Sequence, residues 1–192
     1  MQHIRPKTTE WFTYFPEDYR WSAAIGGMLG LAVVGASDMG EIDRTARKLK
    51  NKLGDDEAWF FTWQELGDEL KQKADDCRNK GHTISASVFY LRASCYYQWG
   101  ERFRTVKDDH ALNVYRKSVE CFHEHAQLSI SPKIEIVEVP YEGKSLPGYF
   151  VHAENTKKSK NPTMIFFDGL DITKELQYAR GVPELIKRGF SC

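Results

Sequence analysis

Thr163 to Phe167 reads Thr-Met-Ile-Phe-Phe, a short apolar run with no polar residue between Met164 and Phe167. A strand wet on one face alternates apolar with polar residues. A continuous run marks a strand covered on both faces, as in a parallel sheet flanked by helices. Such a strand constrains the fold more than any other segment, because it needs strands beside it and helices above and below it. Its surroundings fit that demand. Lys133 to Val139 (KIEIVEV) is rich in β-branched residues, and Tyr141 to Lys144 supplies a turn with Gly143. Leu146 to Ala153 reads as a second strand, in which Pro147 and Gly148 suit an edge or a bulge. After the apolar run come a glycine turn, Asp168-Gly169-Leu170-Asp171, and helical residues. Pro183 is placed in the first turn of a helix running to about Arg188, with Gly189 ending it. Phe190-Ser191-Cys192 reads as the start of another strand. An antiparallel pair, a buried strand, a glycine turn and a helix are how an α/β sheet opens. The further strands that would flank the apolar run are not in these 192 residues, so 131–192 is expected to be an incomplete domain with an open edge.

Residues 1–130 read differently. Ser37 is the expected N-cap of a helix carrying Met39, Ile42, Ala46, Leu49 and Leu53. Gly54 ends it and Asp55 opens the next, where Trp59, Trp63, Leu66, Leu70, Ala74 and Cys77 form one stripe. Asn79-Lys80-Gly81 is a stop signal. Thr83 is the expected cap of a helix with Ile84, Val88, Leu91, Cys95 and Trp99 on one face and further aromatics around it, so it belongs at the centre. Asp108 or Asp109 caps a last helix carrying Ala111, Tyr115, Val119, Phe122 and Ala126. Short connections favour antiparallel neighbours. The fold class expected is therefore α/β, with an all-helical domain over 1–130 preceding the first strands of an α/β sheet over 131–192.

The apolar stretch Ala23–Ala36 is too short to span a bilayer. Glu10, Glu17 and Asp18 ahead of it replace the basic lead of a signal peptide. It is read as a buried helix packed through Gly26, Gly27 and Gly30, in a cytoplasmic protein that makes no membrane contact. Lys+Arg and Asp+Glu both number 27, and that balance argues against a nucleic-acid partner, which calls for a basic excess. Cys77, Cys95, Cys121 and Cys192 form no CxxC pair and lie at no zinc-ligand spacing from a histidine. No metal and no other cofactor is expected, and the cysteines read as inert buried thiols. The aromatics Trp11, Phe12, Tyr14, Phe15, Tyr19 and Trp21 either line a pocket or staple the N-terminal segment onto the helices; stapling is favoured because aromatic burial usually serves the core.

Met164 to Glu175 (MIFFDGLDITKE) carries the chemistry. A glycine directly after a buried strand turns the backbone sharply and leaves amide N–H groups above the strand end, where ligands of open α/β sheets bind. The same pattern also describes a plain tight turn. Asp171, Lys174 and Glu175 either act on a bound substrate or cap the helix that follows.

This segment resembles the α/β-hydrolases that include the fungal polyketide-shortening hydrolases and the bacterial 2,6-dihydroxypseudooxynicotine hydrolase, related to the FrsA-like group. Those families place G-L-[DE] after the third strand, here Gly169-Leu170-Asp171, and the bacterial branch adds T-K-E, here Thr173-Lys174-Glu175. The helix ending Arg188-Gly189 agrees. Recognisable motif runs from about Ile134, whereas the likeness in architecture covers the chain. The resemblance implies that Leu170 N–H is an oxyanion-hole donor, that Gly169 permits close approach, and that the helical domain caps the site of a small aromatic or polyketide-like substrate. It also implies a serine in a G-x-S-x-G elbow, then an acid and a histidine. No G-x-S-x-G occurs in this sequence, so no catalytic triad residue is assignable and the chain alone is expected to be inactive.

Other candidates are weaker. His123 and His125 flank Glu124 on one predicted helix, two positions apart, and so point to different sides; they read as surface or interface histidines. Cys121 and His125 stand at i, i+4, but no third group orients them, which favours a buried thiol. The lysines of Glu154–Pro162 read as a solvated turn. The alternative to a hydrolase is a non-catalytic helical module that binds a ligand or partner, including a second copy of itself. Against a helical-repeat array, no period of about 34 residues is found.

Overall fold

The computed structural model describes residues 13–192 apart from Lys158, Ser159, Asp168 and Leu170. Five helices come first: α1 (Tyr19–Gly30), α2 (Met39–Arg47), α3 (Asp56–Asn79), α4 (Thr83–Glu101) and α5 (Asp109–Leu128). Aspartate opens four of them. The carboxylates of Asp18, Asp38, Asp55 and Asp108 accept from backbone N–H groups of the first turns of α1, α2, α3 and α5. The cap of α2 is thus Asp38 rather than Ser37. Asp38 presents the shorter route to the Glu41 amide, while the Ser37 hydroxyl turns back to the Met28 carbonyl at 2.6 Å. Thr83 is the first residue of α4 rather than its cap; His82 holds that position without a side-chain bond.

The long helices α3, α4 and α5 stack as successive hairpins. Gly81, at φ +76°, makes the sharp reversal between α3 and α4 that a residue with a Cβ resists. From Ala93 to Gly100 every residue of α4 is buried, so its C-terminal half is central as expected. Nearer its N-terminus only one side is buried: Ala86, Ser87 and Tyr90 face the core, whereas Ile84 and Val88 are exposed. The stripe on α3 is buried from Trp59 to Ala74.

The apolar stretch at 23–36 splits into α1 and a 3₁₀ turn over Leu31–Val34. Of the three glycines expected to pack closely only Gly27 meets a neighbour, since a Cβ there would lie 2.6 Å from the Trp99 ring; the same atom on Gly26 or Gly30 meets nothing within 4 Å. Phe15 and Trp21 are buried and stack edge to face, and Tyr14 packs on Phe15, which is the stapling role. Tyr19 points outward, and Trp11 and Phe12 lie outside the described residues.

Two antiparallel strands follow, β1 (Ile134–Tyr141) and β2 (Lys144–Val151), turning through Glu142-Gly143. Their register is one-to-one throughout, with Val137 opposite Gly148 and Glu138 opposite Pro147, so there is no bulge at Pro147. The far end of β2 gains a second neighbour: Val151 exchanges both backbone hydrogen bonds with Cys192, at 2.6 and 3.0 Å. Ser191 in turn bridges Thr163 in parallel. The order across this nascent sheet is β1, β2, the segment at 191–192, then the segment at 163.

Beyond Thr163 the apolar run does not form the buried strand expected of it. Ile165 and Phe167 are 73% and 88% exposed, and only Phe166 packs on the core. The reason is the one that makes the run recognisable. A strand of this type is buried by neighbours on both edges and layers on both faces, and among the described residues it has one bridge on one edge. The helix after it, α6 (Lys174–Ile186), is also longer than expected, with Pro183 near its C-terminal end instead of in its first turn. Leu176, Ala179, Val182 and Ile186 give a stripe that begins with Lys174, and a proline this late costs one hydrogen bond, to the Ala179 carbonyl. Among the described residues no helix is long and apolar enough to cross a membrane.

Candidate functional site

A cleft of about 460 Å³ opens where the end of α4 and the α4–α5 loop meet the segment from Asp171 to Leu176. Trp99, Phe103 and Tyr115 give it aromatic walls. The Arg102 guanidinium lies 5.2 Å over the Trp99 ring, donates to the Asp171 carbonyl oxygen at 3.3 Å, and approaches the Asp171 carboxylate at 3.6 Å. The Thr173 hydroxyl caps α6 and donates to the Gln98 side-chain carbonyl. The turn before α6 is therefore fastened to α4 at two successive points. Arg104 holds the loop itself: it is buried, forks onto Asp108, bonds Glu57 at 2.9 Å, and stacks over Phe60. These charge-assisted bonds fix the cleft's outer wall.

Of the expected glycine turn, Gly169 and Asp171 are described and Asp171 lines this cleft. A Cβ on Gly169 would meet nothing within 4 Å, so protein packing imposes no glycine there; the space beside it is open. Leu170, the candidate oxyanion donor, lies outside the described residues. Of the three substrate-binding candidates, Asp171 lines the cleft. Lys174 and Glu175 do not. They occupy the first turn of α6 and point into a separate cluster.

In that cluster Glu175 is fully buried, and its Oε1 accepts from the Tyr149 hydroxyl at 2.6 Å and the Lys174 ammonium at 2.7 Å. Its Oε2 has no hydrogen-bond partner among the described residues. Burial alone drives this carboxyl's pKa up; the Lys174 and Tyr149 bonds outweigh it and hold the group below the ordinary glutamate value. Tyr149 is pushed up, by burial and by the Glu175 charge. His123 Nε2 stands 3.1 Å from the Tyr149 hydroxyl, and burial lowers its pKa. Sequence reasoning singled out Glu175 and His123 but not their meeting through Tyr149, which only the packing of β2 between α5 and α6 brings about.

His123 and His125 do diverge as their spacing predicts, but His125 is a core histidine and not a surface one. Its Nδ1 lies 2.9 Å from Ser87 Oγ, its ring packs against Phe122 and Tyr178, and burial holds its pKa down at about 4. Cys121 makes no pair with it. Burial pushes that thiol up to about 12, which removes the thiolate needed for chemistry.

No family model matches this sequence. It is similar to the hydrolase acrC of Aspergillus aculeatus, at 27% identity over 94% of this chain and 45% of that protein. It is also similar to the α/β hydrolase ucsC of Acremonium sp, at 26% identity over 87% of this chain and 37% of that protein. Among solved structures, 2,6-dihydroxy-pseudo-oxynicotine hydrolase superposes with a TM-score of 0.66 at 22% identity, over 85% of this chain and 43% of that one. The chain spans less than half the length of each of these relatives. The likeness in sequence and in fold groups it with α/β-hydrolase-like proteins, and its helix-rich architecture with a two-stranded antiparallel sheet matches part of that fold.

Proposed function

We propose, from this place among α/β-hydrolase-like proteins, that the chain supplies the cap and the oxyanion-side turn of a serine-type hydrolase. Residues 1–130 are the cap, and residues 131–192 open the hydrolase sheet. The substrate is a small aromatic or polyketide-like molecule, cleaved at an ester, amide or activated C–C bond. The observation that carries this reading is the fastening of the Asp171–Thr173 segment to α4, which puts Asp171, the last residue of the Gly-Leu-Asp motif, on the wall of an aromatic-lined cleft. A backbone N–H held there is preorganised for charge that develops on a carbonyl oxygen, a contribution of about 3 kcal/mol for one donor. Leu170 is that donor in this reading, and Asp171 stands at the rim beside Arg102. The nucleophile, the acid and the histidine are supplied outside residues 1–192.

The chain alone should therefore hydrolyse para-nitrophenyl esters no faster than background. Turnover that survives repurification and follows the protein peak would end this reading. In a version that carries a G-x-S-x-G elbow, Gly169→Val should cut kcat by about a hundredfold or more, because it crowds the space a reacting carbonyl needs. An unchanged rate there would remove the turn's role. The intact mass of the natural protein, with peptide sequence beyond Cys192, shows whether the elbow and a later acid and histidine accompany this chain.

A further inference from the structure

We propose that the groove between the outer face of α5 and the β1–β2 hairpin binds a small aromatic acid with a hydroxyl opposite its carboxylate. In this site Arg116 holds the carboxylate and His123 receives the hydroxyl. The groove, about 410 Å³, is separate in its floor from the cleft under α4, although Tyr115 borders both. Its size falls in the range of small-ligand sites.

One wall is a single helix face, since positions 115, 116, 119, 120 and 123 recur at one- and four-residue steps. The other is a single sheet face, because Ile136 pairs with Tyr149 and Glu138 with Pro147, two adjacent cross-strand pairs. Tyr115, Val119, Ile136 and Pro147 make the space between these walls apolar and flat-sided, which suits a ring. Polar groups gather at one end, where His123, Tyr149 and Lys174 meet.

The bonding at that end leaves the His123 ring an unused acceptor. Tyr149 has one hydroxyl proton and gives it to the buried Glu175 carboxylate. The 3.1 Å contact with His123 is then Nε2–H donating to the tyrosine oxygen. Neutral His123 keeps Nδ1 as an acceptor, with no partner among the described residues. Lys174, whose charge is balanced by Glu175 at 2.7 Å, keeps further N–H donors at this end. At the other end, Arg116 is exposed and forms no ion pair among the described residues. It lies seven residues before His123, about 10 Å along the helix at 1.5 Å per residue. A ring bearing a hydroxyl and a carboxylate at opposite ends bridges that span. Glu120 and Glu138 also line the groove and oppose negative charge; pairing with Arg116 offsets this for one carboxylate, so a monoanion is favoured over a dicarboxylate.

The test is an NMR titration of residues 1–192 with para-hydroxybenzoate, benzoate and phenol. Para-hydroxybenzoate should bind saturably, with a Kd near or below about 1 mM, and should shift the signals of Val119, Ile136 and the His123 ring. Arg116→Gln, an exposed substitution whose fold circular dichroism verifies, should weaken both acids about tenfold and leave phenol unchanged. The advantage of para-hydroxybenzoate over benzoate should vanish in His123→Phe. No saturation by about 10 mM would overturn the proposal. So would shifts centred on Trp99 and Phe103, or an Arg116→Gln affinity equal to the parent's. None of these outcomes depends on the hydrolase reading, since no turnover is measured.

Discussion

His125 is neutral inside the folded chain, with Nδ1 against Ser87 and Nε2 buried with no partner among the described residues. Its folded pKa is about 4, against an ordinary histidine value of 6.5, because burial disfavours the imidazolium. Between those two values the unfolded chain binds a proton that the folded chain does not. Stability therefore falls as pH drops through that window, by on the order of 3 kcal/mol in total, and is fully retained above it. Urea midpoints measured at about pH 7, 5.5 and 4.5 should show this slope in the parent and a flatter one in His125→Gln. Parallel curves for the two proteins would place the acid sensitivity elsewhere. The sequence shows a histidine two residues from another on an amphipathic helix. It does not show which of the two faces the core, because Phe122 and Ala126 leave the stripe's edge undefined until Tyr178 arrives from α6.

At the scale of elements, α3 and α4 approach through small residues. A Cβ on Gly67 would lie 2.5 Å from the Tyr97 ring, and that ring is tethered by its hydroxyl to Asp68 at 2.7 Å. The ring has little freedom to yield, so Gly67→Ala should destabilise by about 1–3 kcal/mol despite the better helix propensity of alanine. Gly26→Ala, on α1 where the same atom meets nothing within 4 Å, should leave stability unchanged or raise it by up to about 1 kcal/mol. Thermal melts of the two variants test the contrast, and equal effects would mean the crossing relaxes freely. The helix ends are the most legible part of this fold. Aspartate caps and the Gly81 stop act through the backbone next to them, so Asp55, Asp108 and Gly81 could be read from sequence. Gly67 could not, since its partner is thirty residues away in the chain and meets it only when the helices pack.

At the scale of the molecule, the exposed run Met164, Ile165 and Phe167 lies beside a parallel bridge, and its other edge pairs with nothing among the described residues. An apolar strand edge of this kind recruits a strand from another chain. Residues 1–192 should therefore gain mass with concentration in light scattering, and Ile165→Lys with Phe167→Ser should restore a concentration-independent mass. A parent that stays monomeric at high concentration would show that these side chains find cover in some other way.

The sequence by itself determined the helical order, the caps at Asp55 and Asp108, the hairpin and the change of character at Ser131-Pro132. Each depends on residues within a turn or two of one another, or on a period that the chain repeats along its length. The resemblance carried by the Gly169–Glu175 segment agrees with the α/β-hydrolase-like relatives found. Only the tertiary structure decided that Asp171 faces the cleft while Lys174 and Glu175 turn away to Tyr149, that His125 is core, and that the apolar run at 164–167 stays uncovered. Those outcomes turn on which surfaces meet across long stretches of chain. Burial and pairing belong to two partners at once, and a one-dimensional pattern shows only one of them.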